Sequence, residues 1–410
     1  MEFSRAREVR PSEGLSQPDD HTRLLLISTT VPETFQTILK KQPSYLATHF
    51  NVILATSPSD TLAKVEADEQ LSVCQVPMVR GINVLSDLVS VMRMVWVLRT
   101  IKPALVHSYT PKAGLVTMLA AWLCRVPVRV HTFTGLIFPT STGFRRQLLI
   151  WIDRLICLCA TEIVPEGNGV KNDLERFHIT KKPLHVIGHG NIAGVDTDFF
   201  STKAAGIFQE AGSLRSALSI GADEFVFCFV GRLNKDKGVA ELIEAFTSLN
   251  GMAHLILVGS VDSTAPVDDI TLAEIEAHSR IHVLGFMEDI RPALLASDIL
   301  VLPSYREGFP NVVLQAGAME LPVIATDING SNEIIERGLN GWLVPARDAR
   351  ALQMAMQQAI DMPAIQRKEI GQRARARIVQ RFERREHWKR MVQFYDGLLR
   401  RTGVSTTEDS

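Results

Sequence analysis

The chain has 410 residues, of which 46% are hydrophobic and 22% are charged, and its formal net charge is −1. At about 150 residues per domain, this length predicts two domains that each bury a core, and this composition excludes a fibre, a disordered chain and a small disulfide-stapled scaffold. The five cysteines lack metal-ligand spacing, which predicts reduced structural thiols in a cytosolic protein.

No segment of the sequence is predicted to span a membrane. Residues 1–20 are polar and contain no apolar run, so we expect a disordered tail rather than a secretory signal, and the same holds for residues 402–410. The longest apolar run, residues 114–124, has 11 residues. A membrane-spanning helix needs about 18 or more.

Short apolar runs alternate with amphipathic segments along the whole chain. Continuous hydrophobicity marks strands that are buried on both faces, and their alternation with helices predicts a parallel sheet covered on both sides. The predicted strands of the first half are residues 24–28, 52–55, 105–107, 128–133, 161–164 and 184–187. Those of the second half are residues 225–231, 254–259, 281–285, 299–304 and 322–327. The pattern predicts an α/β protein with two doubly wound domains.

These elements set the predicted domain boundaries. A Rossmann-like domain is expected at residues 21–195 and a second one at residues 196–382. A final helix at residues 383–402 is expected to cross back towards the first domain. Its one apolar stripe consists of Trp388, Met391, Val392, Tyr395, Leu398 and Leu399.

Basic residues are concentrated in one segment of the first predicted domain. Residues 77–159 hold ten Lys and Arg against Asp87 and Asp153 alone. In this segment Arg side chains alternate with Trp96, Trp151 and aliphatic residues at helical spacing, which is typical of helices that lie on membrane surfaces. A solvated helical face is the alternative interpretation. Nucleic acid is not an expected partner, because the chain has no recognition motif for it.

Two loops of the second predicted domain carry the chemistry. In FVGRLNKDKGVAELIEAF a strand ends at Gly231, and the turn that follows holds Arg232 and Lys237. Ligands of open α/β sheets bind at the carboxyl ends of strands. A planar guanidinium and an ammonium group at that edge suit a diphosphate, although a solvated turn with chance basic residues fits the segment equally well.

The second loop lies in PSYREGFPNVVLQAGAMELPVIATDINGSNEII. Glu307 occupies a tight turn, and Asn311 begins a helix whose free N–H groups can meet an anion. Gln315 follows Glu307 by eight residues, on the first turns of that helix. Gly308 and Gly330 permit close approach of the backbone to a ligand.

Together these motifs resemble the retaining nucleotide-sugar glycosyltransferases of the GT-B fold, family four, especially the bacterial enzymes that build capsule, O-antigen or lipid-linked oligosaccharides. The resemblance covers nearly the whole chain. It is carried by residues 106–135 and 187–200, by GRLNKDKG, by the block from EGFPNVV to NEII, and by NGWLV. It implies two Rossmann-like domains that face a central cleft, the first for the acceptor and the second for the nucleotide sugar.

The resemblance also implies roles for single residues. Arg232 and Lys237 would neutralise the diphosphate leaving group, and Glu307 would contact the transferred sugar. The family places a ribose-binding Glu where this chain has Gln315, and the lost charge is expected to weaken ribose binding by about 1–3 kcal/mol. The other donor-binding positions that the resemblance implies are Gly231, Gly308, Phe309, Pro310 and Asn311.

In the first domain, His131 matches the family's histidine that faces the reacting sugar, and His107, one strand earlier, is the rival. Two other motifs are discounted. Asp196 and Asp198 spell the carboxylate pair that holds a metal in the other glycosyltransferase fold, but they lie in the linker. The glycines from residue 188 to 194 lack the dinucleotide spacing and open no helix, so NAD binding is rejected.

We therefore predict a metal-independent, retaining glycosyltransferase that needs no cofactor. It would move a hexose from a nucleoside-diphosphate sugar, UDP being favoured over GDP, to a lipid-linked saccharide in bacterial surface polysaccharide synthesis. We expect it in the cytoplasm, bound peripherally to the anionic inner face of the cell membrane through its first half, where 21 basic residues outnumber 18 acidic ones. A non-hydrolysing sugar-nucleotide epimerase of the same fold and a catalytically weak donor-binding partner protein are the alternatives.

Overall fold

The computed structural model describes residues 23–79, 81, 83–262 and 266–403. The predicted tail at residues 1–20, most of the polar C-terminal stretch and Arg80 lie outside the described residues. The described chain divides into two compact units. The first unit contains the residues up to Glu166, Val170–Ile187 and the residues from His387 on; the second contains Gly167–Gly169 and Gly188–Glu386.

Strands and helices alternate along both units. The strands are β1 (Leu24–Ser28), β2 (Asn51–Thr56), β3 (Val73–Gln75), β4 (Leu105–Tyr109), β5 (Val128–Phe133), β6 (Glu162–Pro165), β7 (Phe225–Val230), β8 (Ala253–Val258), β9 (Ile281–Gly285), β10 (Ile299–Leu302), β11 (Val323–Thr326) and β12 (Gly341–Val344). The helices are α1 (Glu33–Thr37), α2 (Gln42–Leu46), α3 (Leu62–Glu69), α4 (Val84–Ile101), α5 (Pro111–Leu123), α6 (Gly143–Cys159), α7 (Asn168–Arg176), α8 (Ile207–Ala217), α9 (Val239–Thr247), α10 (Asp269–Ala277), α11 (Arg291–Leu295), α12 (Asn311–Ala318), α13 (Ser331–Ile334), α14 (Ala349–Asp361), α15 (Ala364–Phe382) and α16 (Arg384–Arg401).

Each unit is built on a parallel six-stranded sheet. The strand order is β3-β2-β1-β4-β5-β6 in the first unit and β12-β11-β10-β7-β8-β9 in the second, which is the same order read from the opposite edge. Every residue of the central strands β1 and β4 is buried, because helices cover both faces of a parallel sheet. The strand order reverses between β1 and β4 and between β7 and β10, and ligands of such sheets bind at this switch point. The predicted fold class, with two doubly wound domains, is confirmed.

The last helix, α16, belongs to the first unit from His387 on. A hydrogen bond of 2.5 Å joins the Tyr395 hydroxyl to Nδ1 of His107 on β4. The Arg23 guanidinium donates to the Asp396 carboxylate at 2.8 Å. Tyr395 is completely buried, so the apolar stripe that the sequence shows on this helix is part of the core of the first unit.

The structure differs from the sequence-based expectations in three strands and one boundary. Residues 184–187 form no strand and contribute one bridge, from Leu184 to Ile163. The edge strands β3 and β12 were not predicted. The chain enters the second unit at residue 188 rather than 196, because Asn191 donates its side-chain N–H to Asn311 and Val195 pairs with Glu383.

Across the described ranges no helix is both long and apolar enough to cross a membrane. The five cysteines are free thiols. Burial raises the pKa of the thiols of Cys157 and Cys228 above the ordinary value, which keeps them protonated and unreactive near neutral pH.

Candidate functional site

The candidate site of the second unit lies where its strand order reverses. β7 and β10 are neighbours, with Phe227 opposite Ile299. Parallel strands end at the same edge of a sheet, so the loop after β7 and the loop after β10 come together there. The first of these loops carries Arg232 and Lys237, and the second carries Glu307.

Lys237 and Glu307 form an ion pair at this edge. Nζ of Lys237 donates to Oε1 of Glu307 at 2.5 Å. The hydroxyl of Ser304, the second residue after β10, donates to the same oxygen at 2.7 Å, and the Ser304 carbonyl accepts from the hydroxyl of Thr326 on β11. Two donors therefore fix one carboxylate oxygen, while Oε2 of Glu307 makes no hydrogen bond to a described residue.

The backbone presents Lys237 on a short 3-10 helix at residues 235–237. The side chain of Asn234 caps this helix by accepting from the Lys237 backbone N–H at 3.0 Å. Asn234 is itself buried and anchored, since its amide N–H also donates to Asp262 at 3.1 Å. The position of the Lys237 ammonium group is thus set by the loop that follows β7.

Arg232 has a different environment from Lys237. Its guanidinium pairs with Oδ2 of Asp262 at 2.5 Å, and 65% of the Arg232 side chain is exposed against 9% for Asp262. The loop after β8 supplies Asp262, which receives hydrogen bonds from both Arg232 and Asn234. Arg232 is therefore oriented by a carboxylate on one side and remains open to solvent on the other.

The N-terminus of α12 adds main-chain donors beside Glu307. Pro310 precedes the helix, and no side chain caps it. Phe309 and Pro310 are both buried, so these two residues shape the loop with their side chains. Gln315 is half-buried, and its side-chain amide makes no hydrogen bond to a described residue.

Packing requires a glycine at position 330, for a reason that the sequence did not reveal. Its φ is +79°, and a Cβ at this position would lie 2.8 Å from Cα of Phe309 and closer still to the Gly308 carbonyl oxygen. The glycine therefore lets the loop after β11 pack against the loop that carries Glu307. We interpret Gly330 as a residue that shapes the site rather than as one that touches a ligand.

In the first unit, His131 lies at the carboxyl half of β5 and is only 1% exposed. Its Nδ1 is 2.8 Å from the hydroxyl of Ser108 on β4, its ring meets Phe133 edge to face, and Gly114 of α5 covers it. Burial lowers the pKa of His131 to about 3, so the ring is neutral at physiological pH. Its role at the sugar stays a prediction.

The rival, His107, is also buried on its strand. Its ring nitrogens bond Tyr395 and the hydroxyl of Thr132, the latter at 2.7 Å. Burial, together with the neighbouring His131, lowers the pKa of His107 well below its ordinary value. These contacts give His107 a structural role in joining β4, β5 and α16.

The carboxylate of Asp196, the first member of the Asp196 and Asp198 pair, is engaged in contacts within the second unit. One carboxylate oxygen of Asp196 accepts the backbone N–H groups of Asp198 and Phe199, and the other pairs with Arg384 at 2.7 Å. Among the residues that the structure describes, no group of three or more His, Cys, Asp or Glu side chains is placed to hold a metal ion.

Sequence reasoning missed Ser304 and Asp262 as members of the site. Ser304 comes two residues after β10, and Asp262 comes four residues after β8. Ser304 follows β10, which lies at the switch point, and Asp262 follows β8, the neighbour of β7. Ligands bind beyond the carboxyl ends of such strands, so this rule could have found both residues. The rule does not predict that Ser304 holds Glu307 or that Asp262 holds Arg232.

Comparison with known proteins identifies a glycosyltransferase domain in each half of the chain. A family model described as "Glycosyl transferase 4-like domain" matches residues 45–190, and one described as "Glycosyl transferases group 1" matches residues 224–362. The chain is 28% identical over 329 residues to CapM of Staphylococcus aureus, a capsular polysaccharide biosynthesis glycosyltransferase, and the alignment covers 79% of this chain and 85% of CapM.

Two further relatives extend the likeness. The chain is 27% identical over 276 residues to the UDP-Gal:alpha-D-GlcNAc-diphosphoundecaprenol alpha-1,3-galactosyltransferase of Escherichia coli, covering 66% of this chain and 69% of that enzyme. The crystal structure of Anabaena HepE in complex with UDP and glucose matches with a TM-score of 0.77 at 19% identity, covering 92% of this chain and all of HepE, which shows a shared fold. With both family models, these relatives and the two doubly wound sheets in agreement, the chain belongs to the GT-B glycosyltransferases of family four.

Proposed function

We propose that this enzyme is a retaining glycosyltransferase that moves a sugar from a UDP-sugar to a lipid-linked saccharide, at the cytoplasmic face of the bacterial cell membrane. The Lys237–Glu307 pair at the switch point of the second unit carries the proposal. Two relatives support the choice of substrates. The name of the Escherichia coli relative specifies a UDP-sugar donor and a diphosphoundecaprenol-linked acceptor, and HepE was crystallised with UDP and glucose.

In this proposal the second unit stabilises the leaving group. When the bond between the sugar C1 and the diphosphate oxygen breaks, negative charge builds on the departing phosphate. The Lys237 ammonium group, the exposed part of the Arg232 guanidinium and the N–H groups at the start of α12 would meet that charge. Because loop contacts already hold Lys237 and Arg232 in place, they need little reorganisation, and these fixed cations take the part that a metal ion plays elsewhere.

The contacts of Glu307 favour retention. Lys237 and Ser304 already occupy one oxygen of the Glu307 carboxylate, so that oxygen is not available as a nucleophile towards the sugar C1. We therefore propose that the acceptor hydroxyl attacks on the face that the diphosphate leaves. The new C1–O bond forms as the C1–O phosphate bond breaks, and the acceptor proton passes to an oxygen of the leaving phosphate. The free Oε2 of Glu307 would bind a hydroxyl of the transferred sugar.

The test removes one cation of the loop and compares it with a neighbour. Lys237→Ala should lower turnover at saturating donor by about a hundredfold or more, the scale of losing one such donor to a developing charge. Lys235→Ala is the matched control, because Lys235 is exposed on the same 3-10 helix and should leave turnover unchanged. Equal turnover of Lys237→Ala and wild type would remove this mechanism.

The product identifies the reaction class. Purified protein is incubated with labelled sugar nucleotides and a membrane extract, and label in the lipid fraction supports the transferase. Label found only in an isomerised nucleotide supports the epimerase, and donor binding without product supports a partner protein. A thermal-shift screen of UDP, GDP and ADP sugars identifies the donor, because a ligand at 100 times its Kd adds about 2.7 kcal/mol of stability.

A further inference from the structure

Helix α4 carries two apolar stripes, and only one of them is covered. Val91, Met94, Val97 and Leu98 are buried in the core of the first unit. A second stripe lies in the open, with each of its side chains between 50% and 77% exposed. Its members are Leu85, Leu88, Val89, Met92 and Trp96, at the spacing that places residues on one side of a helix.

Helix α6 has a similar stripe. Phe144, Trp151 and Leu158 are between 65% and 83% exposed, and Leu148 and Leu155 lie between them at alternating spacings of four and three residues. Both α4 and α6 pack against α5, whose exposed Trp122 and Leu123 lie at its C-terminal end. The crossovers from β3 to β6 progress in one direction across the sheet, so these three helices cover the same side of it. We call the exposed apolar residues of these helices the α4–α6 face.

The charges around the α4–α6 face have one sign. Arg93, Arg99 and Arg145 are exposed on its helices. Neither acidic residue of these helices presents a free carboxylate at the surface. Asp87 is paired with Lys112 at 2.6 Å, and Asp153 is buried. The guanidinium of Arg93 lies over the ring of Trp96, 5.0 Å from its centroid. The face thus combines apolar side chains with cations and exposes no carboxylate.

We propose that the α4–α6 face docks on an anionic lipid bilayer. The leucines and Phe144 would insert among the acyl chains, and the tryptophans would lie at the membrane–water interface. The arginines would pair with lipid phosphates. A second copy of this chain fits less well, because a two-fold contact would bring the arginines of both copies together without an acidic partner.

The position of the face deepens the proposed function. α4 follows β3 and α6 follows β5, so the exposed stripes begin near the edge where the strands of the first unit end. Ligands of such sheets bind at that edge. The link to a lipid-linked acceptor rests on the proposed function, whereas docking itself rests on the α4–α6 face alone.

Binding to vesicles tests the docking. Wild type should co-sediment with vesicles of phosphatidylglycerol and phosphatidylcholine, bind pure phosphatidylcholine at least about tenfold more weakly, and be released by high salt. Leu85→Ser with Leu88→Ser should weaken binding about tenfold or more. Met354→Ser with Ile365→Ser is the matched control, because these side chains are similarly exposed in the second unit and should leave binding unchanged.

Two further readouts locate the contact. Brominated acyl chains should quench the fluorescence of wild type on binding, since Trp96, Trp122 and Trp151 are exposed on this face. Arg93→Glu with Arg145→Glu should abolish the preference for anionic lipid. We leave Arg146 unchanged, because its guanidinium packs over the ring of Phe177 at 5.3 Å and its loss would disturb the fold.

The outcomes separate docking from catalysis. If the Leu85 and Leu88 variant loses vesicle binding but keeps wild-type turnover on a short-chain, water-soluble acceptor, docking and the proposed transfer both stand. If wild type binds vesicles but transfers no sugar, the proposed function fails and docking stands. Docking is overturned if the variant binds as wild type does, or if wild type is a dimer in solution and the variant a monomer, which would make a second copy the occupant.

Discussion

A single methyl group on α5 should destabilise the first unit against the usual trend. Replacing a helical Gly with Ala normally adds about 1 kcal/mol of stability, because Ala loses less backbone entropy. At Gly114, however, the added Cβ would lie 2.8 Å from Nδ1 of His131 and closer still to Cε1. The ring has nowhere to move, because it is buried, bonded to Ser108 and packed on Phe133.

The magnitude follows from these contacts. Displacing the ring costs the Ser108 hydrogen bond, about 1 kcal/mol, and overpacking the core costs about 1–3 kcal/mol. Subtracting the gain in helix propensity leaves Gly114→Ala about 1–3 kcal/mol less stable than wild type. Urea unfolding followed by circular dichroism measures this, with each unit's transition fitted separately.

A double-mutant cycle shows whether the clash is the cause. In a His131→Ala background the added methyl group meets no ring, so Gly114→Ala should there be neutral or stabilising. The coupling between the two sites should then be about 1–4 kcal/mol. If Gly114→Ala is as stable as wild type while His131 is present, the ring is not fixed where the structure has it, and the reasoning is refuted.

Four other changes have expected outcomes. Gln315→Glu should lower KM for the donor up to about tenfold with little change in kcat, if the ribose is bound there; an unchanged KM in steady-state kinetics contradicts that contact. Tyr395→Phe should cost about 1–2 kcal/mol in urea unfolding, because it leaves His107 unpaired at Nδ1. The pKa of His131 is about 3 in the folded state and about 6.5 in the unfolded state, so the unfolded chain binds the extra proton between these values. The free energy of unfolding should therefore fall as the pH drops below about 6.5, and His131→Gln should flatten that part of the pH profile. Burial raises the pKa of Asp153 to about 7, so the folded state binds the extra proton and stability falls as the pH rises from about 4 to 7; Asp153→Asn should gain stability over wild type at pH 8 and little at pH 4.5.

The sequence predicts the buried strands and the place of the site for physical reasons. Strand β1, LLLIS, is buried throughout and apolar up to its final serine, and its predicted bounds agree with the structure. The edge strand β3, VCQ, has only three residues, which is too short to show a pattern. The sequence could predict that the loops of Lys237 and Glu307 lie close together, because adjacent parallel strands end at the same edge of a sheet.

The sequence could not predict which side chains pair with each other at the site. The pairing of Arg232 with Asp262 depends on how the loops after β7 and β8 fold against each other, which no spacing in the chain encodes. Gly114 reads as part of an apolar run, and only the packing of α5 on β5 shows that it makes room for His131. The roles carried over by family resemblance remain predictions for the same reason, since resemblance assigns positions and not contacts.

The path of the chain through the two units has a consequence for synthesis on the ribosome. The first unit is interrupted at residue 188 and resumes at His387, so its last helix emerges after the whole second unit. At about 5–20 residues per second, the 288 residues between His107 of β4 and Tyr395 take roughly 14–58 s to synthesise, and Phe50 waits longer still for the side chain that covers it. A nascent chain that stalls before α16 therefore displays an uncovered apolar surface, which chaperones and proteases recognise. The first unit thus completes its core only after the second unit has been synthesised.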